Sequence, residues 1–233
     1  MAARALISLA FGTVSLLAAD VQAASADPFA TMAPKADYQM DRGDEISLAR
    51  SAAPASISDK AEILVMGEHG FETAATGSNG FVCLVERSWD KDFGDPDFWN
   101  PRIRAPNCVN EASARTVLPG ILERAEWVLA GASEDEMRER SKTSAKANMS
   151  PASGAMAIMM SKRQHLTDSE PTNWCPHVMF YSPHIDNAAW GANLKGSPII
   201  GADLGPVTYF FIPVGKWSDG TPLMALGDHE HRH

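Results

Sequence analysis

The first 26 residues have the composition of a secretory signal peptide, and this assignment constrains the fold more than any other feature of the sequence. Arg4 supplies a positive charge, and residues 5–19 form an apolar run. Residues 24–26 (Ala-Ser-Ala) offer the small side chains that a signal peptidase requires, with 21–23 as an alternative. The run is shorter than the roughly 20 residues of a membrane-spanning helix. We therefore expect an exported protein, periplasmic or extracellular, with no membrane insertion after signal cleavage.

The overall composition is that of a folded, acidic protein. The hydrophobic fraction is 45%, which is normal for a globular domain, and the formal net charge is −9 at pH 7. A negative surface repels the phosphate backbone of nucleic acids and anionic lipid headgroups. We therefore expect no nucleic-acid partner, and the expected partner is an unidentified ligand or protein.

Three cysteines in an exported chain predict one disulfide and one free thiol. Cys83 lies in an apolar run, and Cys108 follows 25 residues later in a Pro/Asn segment. We expect these two to be bridged, which would leave Cys175 free. The sequence alone also allows Cys175 to pair with either of the other two.

The first half of the chain has clear helix and strand signals. Residues 41–53 predict a short helix with Asp41 or Asp44 near its start, ended by Pro54. Three short apolar runs follow, separated by Gly and Asn turns, and they predict antiparallel strands joined by hairpins: residues 62–66, 71–76 and 81–85.

The second half begins with a segment that predicts a long irregular loop, residues 88–110. Asn110 is a candidate cap for a helix to Leu118, and a further helix is expected to end at Gly131. Ser133 and Glu136 form a capping box that opens a charged surface helix. Three later apolar runs predict strands: residues 155–160, 178–181 and 207–214.

The order of elements, strands followed by helices and then strands, predicts an α+β fold. We expect a mainly antiparallel sheet with two or three helices packed on one side. The predicted organisation is a signal peptide (1–26), a flexible leader with a short helix (27–60), a single α+β domain (61–218) and a polar His-rich tail (219–233).

Several segments of the chain resemble a family of uncharacterised exported bacterial proteins. The segments are residues 77–85 (Gly-Ser-Asn-Gly-Phe-Val-Cys-Leu-Val), 106–108 (Pro-Asn-Cys), 116–119 (Thr-Val-Leu-Pro) and 176–183 (Pro-His-Val-Met-Phe-Tyr-Ser-Pro). The resemblance extends over residues 61–214. It implies a recurring exported domain, and because that family has no established activity or cofactor it transfers no functional residues.

The main candidate for a metal site is the segment around residues 175–186. His177, His184 and Asp186 are suitable ligands for a divalent metal such as zinc or copper, Cys175 is nearby, and His69 or His165 could complete the site. If residues 178–181 form a strand, the two histidines lie at its ends, and the chain must fold back to bring both to one ion. Otherwise both are strand-end residues bonded to the backbone.

Three other patterns in the sequence have simpler interpretations than a functional site. Residues 229–233 satisfy H-E-x-x-H, but a helix of five terminal residues does not persist alone, so we interpret them as a tail. The acidic loop 90–97 lacks the EF-hand order, since Gly94 and Asp95 stand at its fifth and sixth positions, and a solvated acidic loop is the default interpretation. Glu68, His69 and Glu72 offer acid and base groups without a known geometry.

These observations favour a non-catalytic exported module that binds a ligand or partner through residues 88–110. This hypothesis predicts that Trp89 or Trp99 is partly exposed and that no polar cluster converges in a cleft. The alternative is a metal-dependent, hydrolytic enzyme built on His177 and His184 with Asp186 or His69. No cofactor other than a divalent metal is suggested.

Overall fold

The computed structural model describes residues 28–168 and 175–223 of the chain. Its helices are α1 (Arg42–Arg50), α2 (Ala55–Ser58), α3 (Glu111–Thr116), α4 (Leu118–Leu129) and α5 (Glu134–Thr143). Its strands are β1 (Glu62–Met66), β2 (Phe71–Ala75), β3 (Val82–Glu86), β4 (Ala105–Val109), β5 (Met156–Met159), β6 (His177–Pro183), β7 (Ile200–Leu204) and β8 (Val207–Pro213). Short 3₁₀ turns occur at Lys35–Tyr38, Ser88–Asp90 and Asn187–Trp190.

The strands of the described residues form one sheet in the order β2-β1-β3-β4-β5-β6-β8-β7. Neighbouring strands are antiparallel except for β1 and β3, which are parallel. The predicted α+β fold with a mainly antiparallel sheet is therefore confirmed.

The parallel pair β1–β3 differs from the hairpin that the sequence predicted between β2 and β3. The loop between them folds around the start of β1, where Ser78 N–H donates to the Lys60 carbonyl at 2.8 Å. A side chain at Gly77 would come within 2.2 Å of the Glu62 nitrogen, so only glycine fits this close approach. The chain therefore passes the start of β1 and returns on its other side.

Alternate side chains of the sheet face two separate helical layers. Ile63 and Val65 of β1 pack with α1 in one core. Leu64, between them, packs on the opposite face with Leu118 of α4. Helices α3 and α4 contact β4, β5 and β2, and α5 packs on α4. The helices expected on one side are thus α3–α5, and α1 lies on the other face.

The disulfide lies at the centre of the sheet, on the α1 face. Cys83 of β3 and Cys108 of β4 are directly opposite each other in the strand register, with their Cα atoms 4.0 Å apart. Both are fully buried. The predicted bridge is confirmed, and Cys175 is a free cysteine.

The aromatic residues of segment 88–110 form part of a second core. Trp89 is 0% exposed and Trp99 is 5% exposed, so the prediction that one of them is partly exposed is wrong. The physical reason is that both pack with Tyr38 and with apolar side chains of α4 and α5. The segment is also less irregular than expected, because β4 lies within it.

The N-terminal segment joins this second core. Asp41 caps α1 as predicted and accepts hydrogen bonds from the Gly43 and Asp44 amides at 2.8 and 3.1 Å. Tyr38 is 1% exposed, and its hydroxyl donates to the Trp99 carbonyl at 2.9 Å. Composition predicted a flexible leader here, but a buried phenol with a hydrogen bond holds this segment against the core from Tyr38 onward.

The other predicted helix caps are present as well. The Asn110 side chain accepts from the Ser113 amide at 3.0 Å at the start of α3. Ser133 and Glu136 form the reciprocal capping box of α5. Within residues 28–168 and 175–223, no helix is long and apolar enough to cross a membrane.

A buried ion pair attaches α1 to the sheet. The side chains of Glu45 and Arg87 are 1% and 0% exposed, and Glu45 Oε1 lies 2.7 Å from an Arg87 guanidinium nitrogen. Arg87 also donates through Nε to the Tyr38 carbonyl at 2.9 Å, and through another nitrogen to the Val85 carbonyl. Glu45 also accepts from the Met66 amide at 3.2 Å. These bonds together compensate the burial of both charges.

We expect Glu45→Ala to lower the free energy of unfolding by about 3–5 kcal/mol, because it leaves the Arg87 charge buried without its partner. Urea unfolding followed by circular dichroism measures this change. The control is Asp44→Ala, an exposed neighbour in the same helix, which we expect to change stability by about 0.5 kcal/mol or less. Equal effects of the two substitutions would contradict the role assigned to the ion pair.

Candidate functional site

His177 is the first residue of β6 and is 2% exposed. Its Nδ1 donates to the Cys175 carbonyl at 2.9 Å, and its ring lies edge-on to Phe211 with the ring centroids 5.2 Å apart. Burial lowers the pKa of this imidazole. His177 is therefore a neutral, packed side chain in this structure.

The other two predicted metal ligands lie at the far end of the same strand. His184 is exposed, and its Nδ1 is 3.4 Å from Asp203 Oδ1. Asp186 caps a 3₁₀ turn by accepting from the Ala188 amide at 3.0 Å. Because β6 has seven residues, it separates His177 from His184 by roughly 20 Å. The structure therefore does not bring His177 together with His184 and Asp186.

Of the other acid and base candidates, Glu68 and His69 are exposed in the β1–β2 turn, and Glu72, His165 and Asp97 have contacts of their own. Glu72 pairs with Arg42 at 2.5 Å on the surface, and His165 Nε2 lies 2.7 Å from Asp168 Oδ1. Asp97, in the acidic loop, accepts from Asn100 at 3.0 Å. In the part of the chain that the structure describes, no group of three His, Cys, Asp or Glu side chains could hold a metal ion.

Two sequence predictions fall outside the described residues. They are the signal peptide of residues 1–26 and the H-E-x-x-H string of residues 229–233. Both therefore stay predictions.

The structure instead brings together polar groups from neighbouring strands on the α4 face of the sheet. Glu86 ends β3, and Asn107 lies in the adjacent strand β4. Asn107 is fully buried, and its Nδ2 donates to Glu86 Oε1 at 2.7 Å. The Asn107 Oδ1 atom is buried and has no hydrogen-bond partner among the described residues. This oxygen is an unsatisfied acceptor beside a carboxyl group.

Asp90 adds a second carboxyl group to the same place. It lies in the 3₁₀ turn that follows β3, and its Oδ2 accepts from the Arg87 amide at 3.2 Å. Its Oδ1 is also buried, with no hydrogen-bond partner in the described part of the chain. A second acceptor at the site is therefore left without a donor.

The two carboxyl groups have different protonation states at neutral pH. Burial raises the pKa of Glu86 to about 8, and the negative charge of Asp90 adds to this, while the Asn107 hydrogen bond opposes it. Burial also raises the pKa of Asp90 to about 6, and the positive charges of Arg124 and Arg87 limit the rise. Burial thus favours retention of a proton by this pair near neutral pH, and the larger rise in pKa places it on Glu86.

Two tyrosines complete the site. Tyr181 of β6 and Tyr209 of β8 are directly paired in the strand register. Burial raises the pKa of both, to about 12 for Tyr209, and the negative charge of Glu86 raises the pKa of Tyr181 further. The nearby Asn107 amide limits this rise in the pKa of Tyr181. No hydrogen bond of standard geometry joins these two described residues. Both phenols therefore remain protonated at neutral pH.

We call this cluster the carboxyl–tyrosine site and define it as Glu86, Asp90, Asn107, Tyr181 and Tyr209. Apart from Asn107, which is fully buried, its members are partly exposed. The unpaired Asn107 Oδ1 and Asp90 Oδ1 atoms of this site are themselves buried.

The Arg124 cation faces the acidic side of this site from α4. Its guanidinium lies 4.4 Å from the Phe93 ring centroid and donates to the Lys91 carbonyl at 3.2 Å. The charges of Asp90 and Asp92 stabilise the buried Arg124 cation. Arg124 is therefore a counterion of these two aspartates, and its Nε is a buried donor without a hydrogen-bond partner among the described residues.

A concavity lies between β2 and helices α3 and α4, with a volume of about 450 Å³. Its floor is apolar and includes Leu64, Leu118 and Leu122. At its rim, Arg115 pairs with Glu111. This groove offers an apolar surface whose rim charges are already paired, so the carboxyl–tyrosine site is the stronger candidate.

The sequence contained a partial signal for this site. Val82, Leu84 and Glu86 alternate along β3, so a charged residue falls on the face where apolar ones are expected. Asn107 and Tyr181 lie in segments that carry the family resemblance. Their convergence was not predictable, because it depends on the register of β4 and β6, and β4 itself was not predicted.

No protein-family model, no curated protein and no solved structure matches this chain. The resemblance to exported bacterial proteins therefore stays a prediction. Function has to be argued from the geometry of the site.

We expect Glu86→Gln to stabilise the protein relative to wild type, by an amount that grows as the pH rises from about 5 to about 8. Below pH 4.5, Glu86 is protonated in both the folded and the unfolded state. Between that pH and about 8, the Glu86 carboxyl group ionises only in the unfolded state. The wild-type protein therefore loses stability as the pH rises. Glutamine does not titrate and removes this loss.

Urea unfolding of both proteins at several pH values measures the difference. The control is Glu68→Gln in the exposed β1–β2 turn. A stability difference between wild type and Glu86→Gln that is constant with pH would contradict the protonation of Glu86.

Proposed function

We propose that this chain is a non-catalytic, exported module that binds a small ligand at the carboxyl–tyrosine site. The observation that carries the proposal is the fully buried Asn107, whose Oδ1 has no hydrogen-bond partner among the described residues. Native proteins rarely leave such atoms unpaired, since each costs about 1–3 kcal/mol. A ligand that donates to this oxygen would remove that penalty.

The construction of the site supports recognition. Its groups come from β3, β4, β6, β8 and the 3₁₀ turn after β3, and regular elements hold side chains more rigidly than loops do. The disulfide lies next to the site, because Cys108 follows Asn107 in β4 and is bridged to Cys83 in β3. It ties together the two strands that carry the Glu86–Asn107 hydrogen bond. The site is thus preorganised, which favours affinity.

Chemically, the site offers acceptors, a protonated carboxyl group and aromatic rings. Tyr209 lies edge-on to Phe211 with the ring centroids 5.0 Å apart, and Tyr181 is its cross-strand neighbour. Because the tyrosine pKa values are raised, these phenols serve as hydrogen-bonding groups rather than as bases. Such a combination of polar and aromatic groups is typical of ligand sites. The buried disulfide fits the oxidising compartment that the signal peptide predicts.

The test is a titration of tyrosine-labelled protein, followed by NMR of the Tyr181 and Tyr209 rings. The probes are glucose, phenethylamine, 2-phenylethanol and phenylacetate, which represent a sugar, an amine, a neutral alcohol and an anion. We expect saturable, one-to-one shifts with at least one of the first three. We expect none with phenylacetate, since the ionised aspartates repel it.

The matched variant is Asn107→Leu, which replaces the unsatisfied amide by an apolar group of similar size. We expect it to remain folded and to bind the active probe roughly tenfold more weakly, because one buried hydrogen bond is worth about 1–2 kcal/mol. Glu68→Gln serves as the control that leaves binding unchanged. If none of the four probes shifts either tyrosine, or if Asn107→Leu binds as well as wild type, the proposed function is wrong.

A further inference from the structure

The proposed function leaves the ligand class open, and the charges around Glu86 narrow it. Two observations carry this step: the unpaired polar atoms of Asn107 and Asp90 are both acceptors, and the carboxyl groups outnumber the cations that face them. Each is considered in turn.

The first observation concerns hydrogen bonding. Asn107 Oδ1 and Asp90 Oδ1 are both buried without a donor among the described residues. Glu86 Oε1 already accepts from Asn107 Nδ2. A ligand that satisfies these oxygens must therefore donate hydrogen bonds, as an ammonium group does and a carboxylate does not.

The second observation concerns charge. Asp90 faces Glu86 from the 3₁₀ turn, and Tyr181 faces it from β6. Behind Asp90 lies Arg124 of α4, which is shared with Asp92. The charged and titratable groups at and around the site are Glu86, Asp90, Asp92, Asp95, Asp203, Glu134, Lys91, Arg87, Arg124, Tyr181 and Tyr209.

Of the cations in this set, Arg87 is bound to Glu45 on the opposite face of the sheet, and Lys91 lies 3.5 Å from Asp95. Burial raises the pKa of both Asp90 and Asp92; the charges of Arg124 and Arg87 limit this rise for Asp90, and those of Arg124 and Lys91 limit it for Asp92. No further cation is left for Glu86 within this set, and a proton neutralises it instead. A ligand cation would take the place of that proton.

The aromatic residues provide a surface for the rest of the ligand. Tyr181, Tyr209 and Phe211 are partly exposed and lie on the same face of β6 and β8. Ammonium groups are attracted to aromatic faces, and the apolar body of an amine packs against the rings. The hydrogen-bond acceptors and the rings thus favour the same kind of molecule.

We propose that the carboxyl–tyrosine site binds a primary or secondary amine with an apolar or aromatic body, whose ammonium group donates to Asn107 and Asp90 and pairs with the Glu86 carboxylate. This inference rests on the proposed function and adds the ligand class and a coupling to pH. In the proton balance, the free site holds the proton on the Glu86 carboxyl group. On binding, that proton passes to solvent and the ammonium group pairs with the carboxylate.

The experiment is isothermal titration calorimetry of the wild-type protein with phenethylamine, in 150 mM salt and in two buffers of different ionisation enthalpy. At pH 7 we expect release of about one proton per bound amine, because Glu86 is largely protonated beforehand. Below about pH 8, we expect the affinity to rise about tenfold per pH unit. These measurements need no variant.

The matched probe is 2-phenylethanol, which has the same ring and carbon chain with a hydroxyl group in place of the ammonium group. We expect it to bind at least tenfold more weakly than the amine at pH 8 and to release no proton. Glu86→Gln is expected to abolish proton release and to weaken amine binding at least tenfold, whereas Glu68→Gln changes neither.

The outcomes separate this inference from the proposed function. If the alcohol binds as tightly as the amine, or if the amine binds without releasing a proton, the amine assignment is overturned and the proposed function stands. If neither probe shifts the Tyr181 and Tyr209 resonances and glucose also fails, both are overturned.

Discussion

The buried pair of Glu45 and Arg87 is the interaction on which the arrangement of the sheet and the N-terminal segment depends. Arg87 donates to Glu45 and to the carbonyls of Tyr38 and Val85, so a full positive charge is compensated inside the fold. Glu86, one residue earlier, faces the opposite side of the same sheet. It has one hydrogen bond, from an amide, and lies near a second carboxyl group. The end of β3 thus carries two different groups: the Arg87 cation, whose charge is compensated, and the Glu86 carboxyl group, which the fold leaves protonated.

Much of the fold could be predicted because its signals are local. The apolar run of β1 and the caps Asp41 and Asn110 are encoded within a few residues, and the structure has them where the sequence indicates. The strands β4 and β7 were not predicted. In β4, Pro106 and Asn107 hide the strand pattern, since neither residue favours an extended ladder. Its neighbours in the sheet, rather than its composition, make this segment a strand.

The site could not be predicted to the same extent, because it depends on contacts between distant segments. His177 and His184 are close in sequence, but an extended strand separates them. Glu86 and Asn107 are far apart in sequence, and the antiparallel register of β3 and β4 brings them together. The tryptophan prediction failed for a related reason. A loop rich in proline and aspartate still buries Trp89 when a helix supplies an apolar surface for it.

The central claim is that the fold holds Glu86 protonated at neutral pH while the site is empty of ligand. Carbon-detected NMR of the side-chain carboxyl groups, recorded across the pH range on ligand-free protein and assigned with Glu86→Gln, measures this directly. We expect a titration midpoint near pH 8 for the Glu86 carboxyl group and one near pH 6 for the Asp90 carboxyl group. A Glu86 midpoint near pH 4.5, the ordinary value for a solvated glutamate, would contradict it.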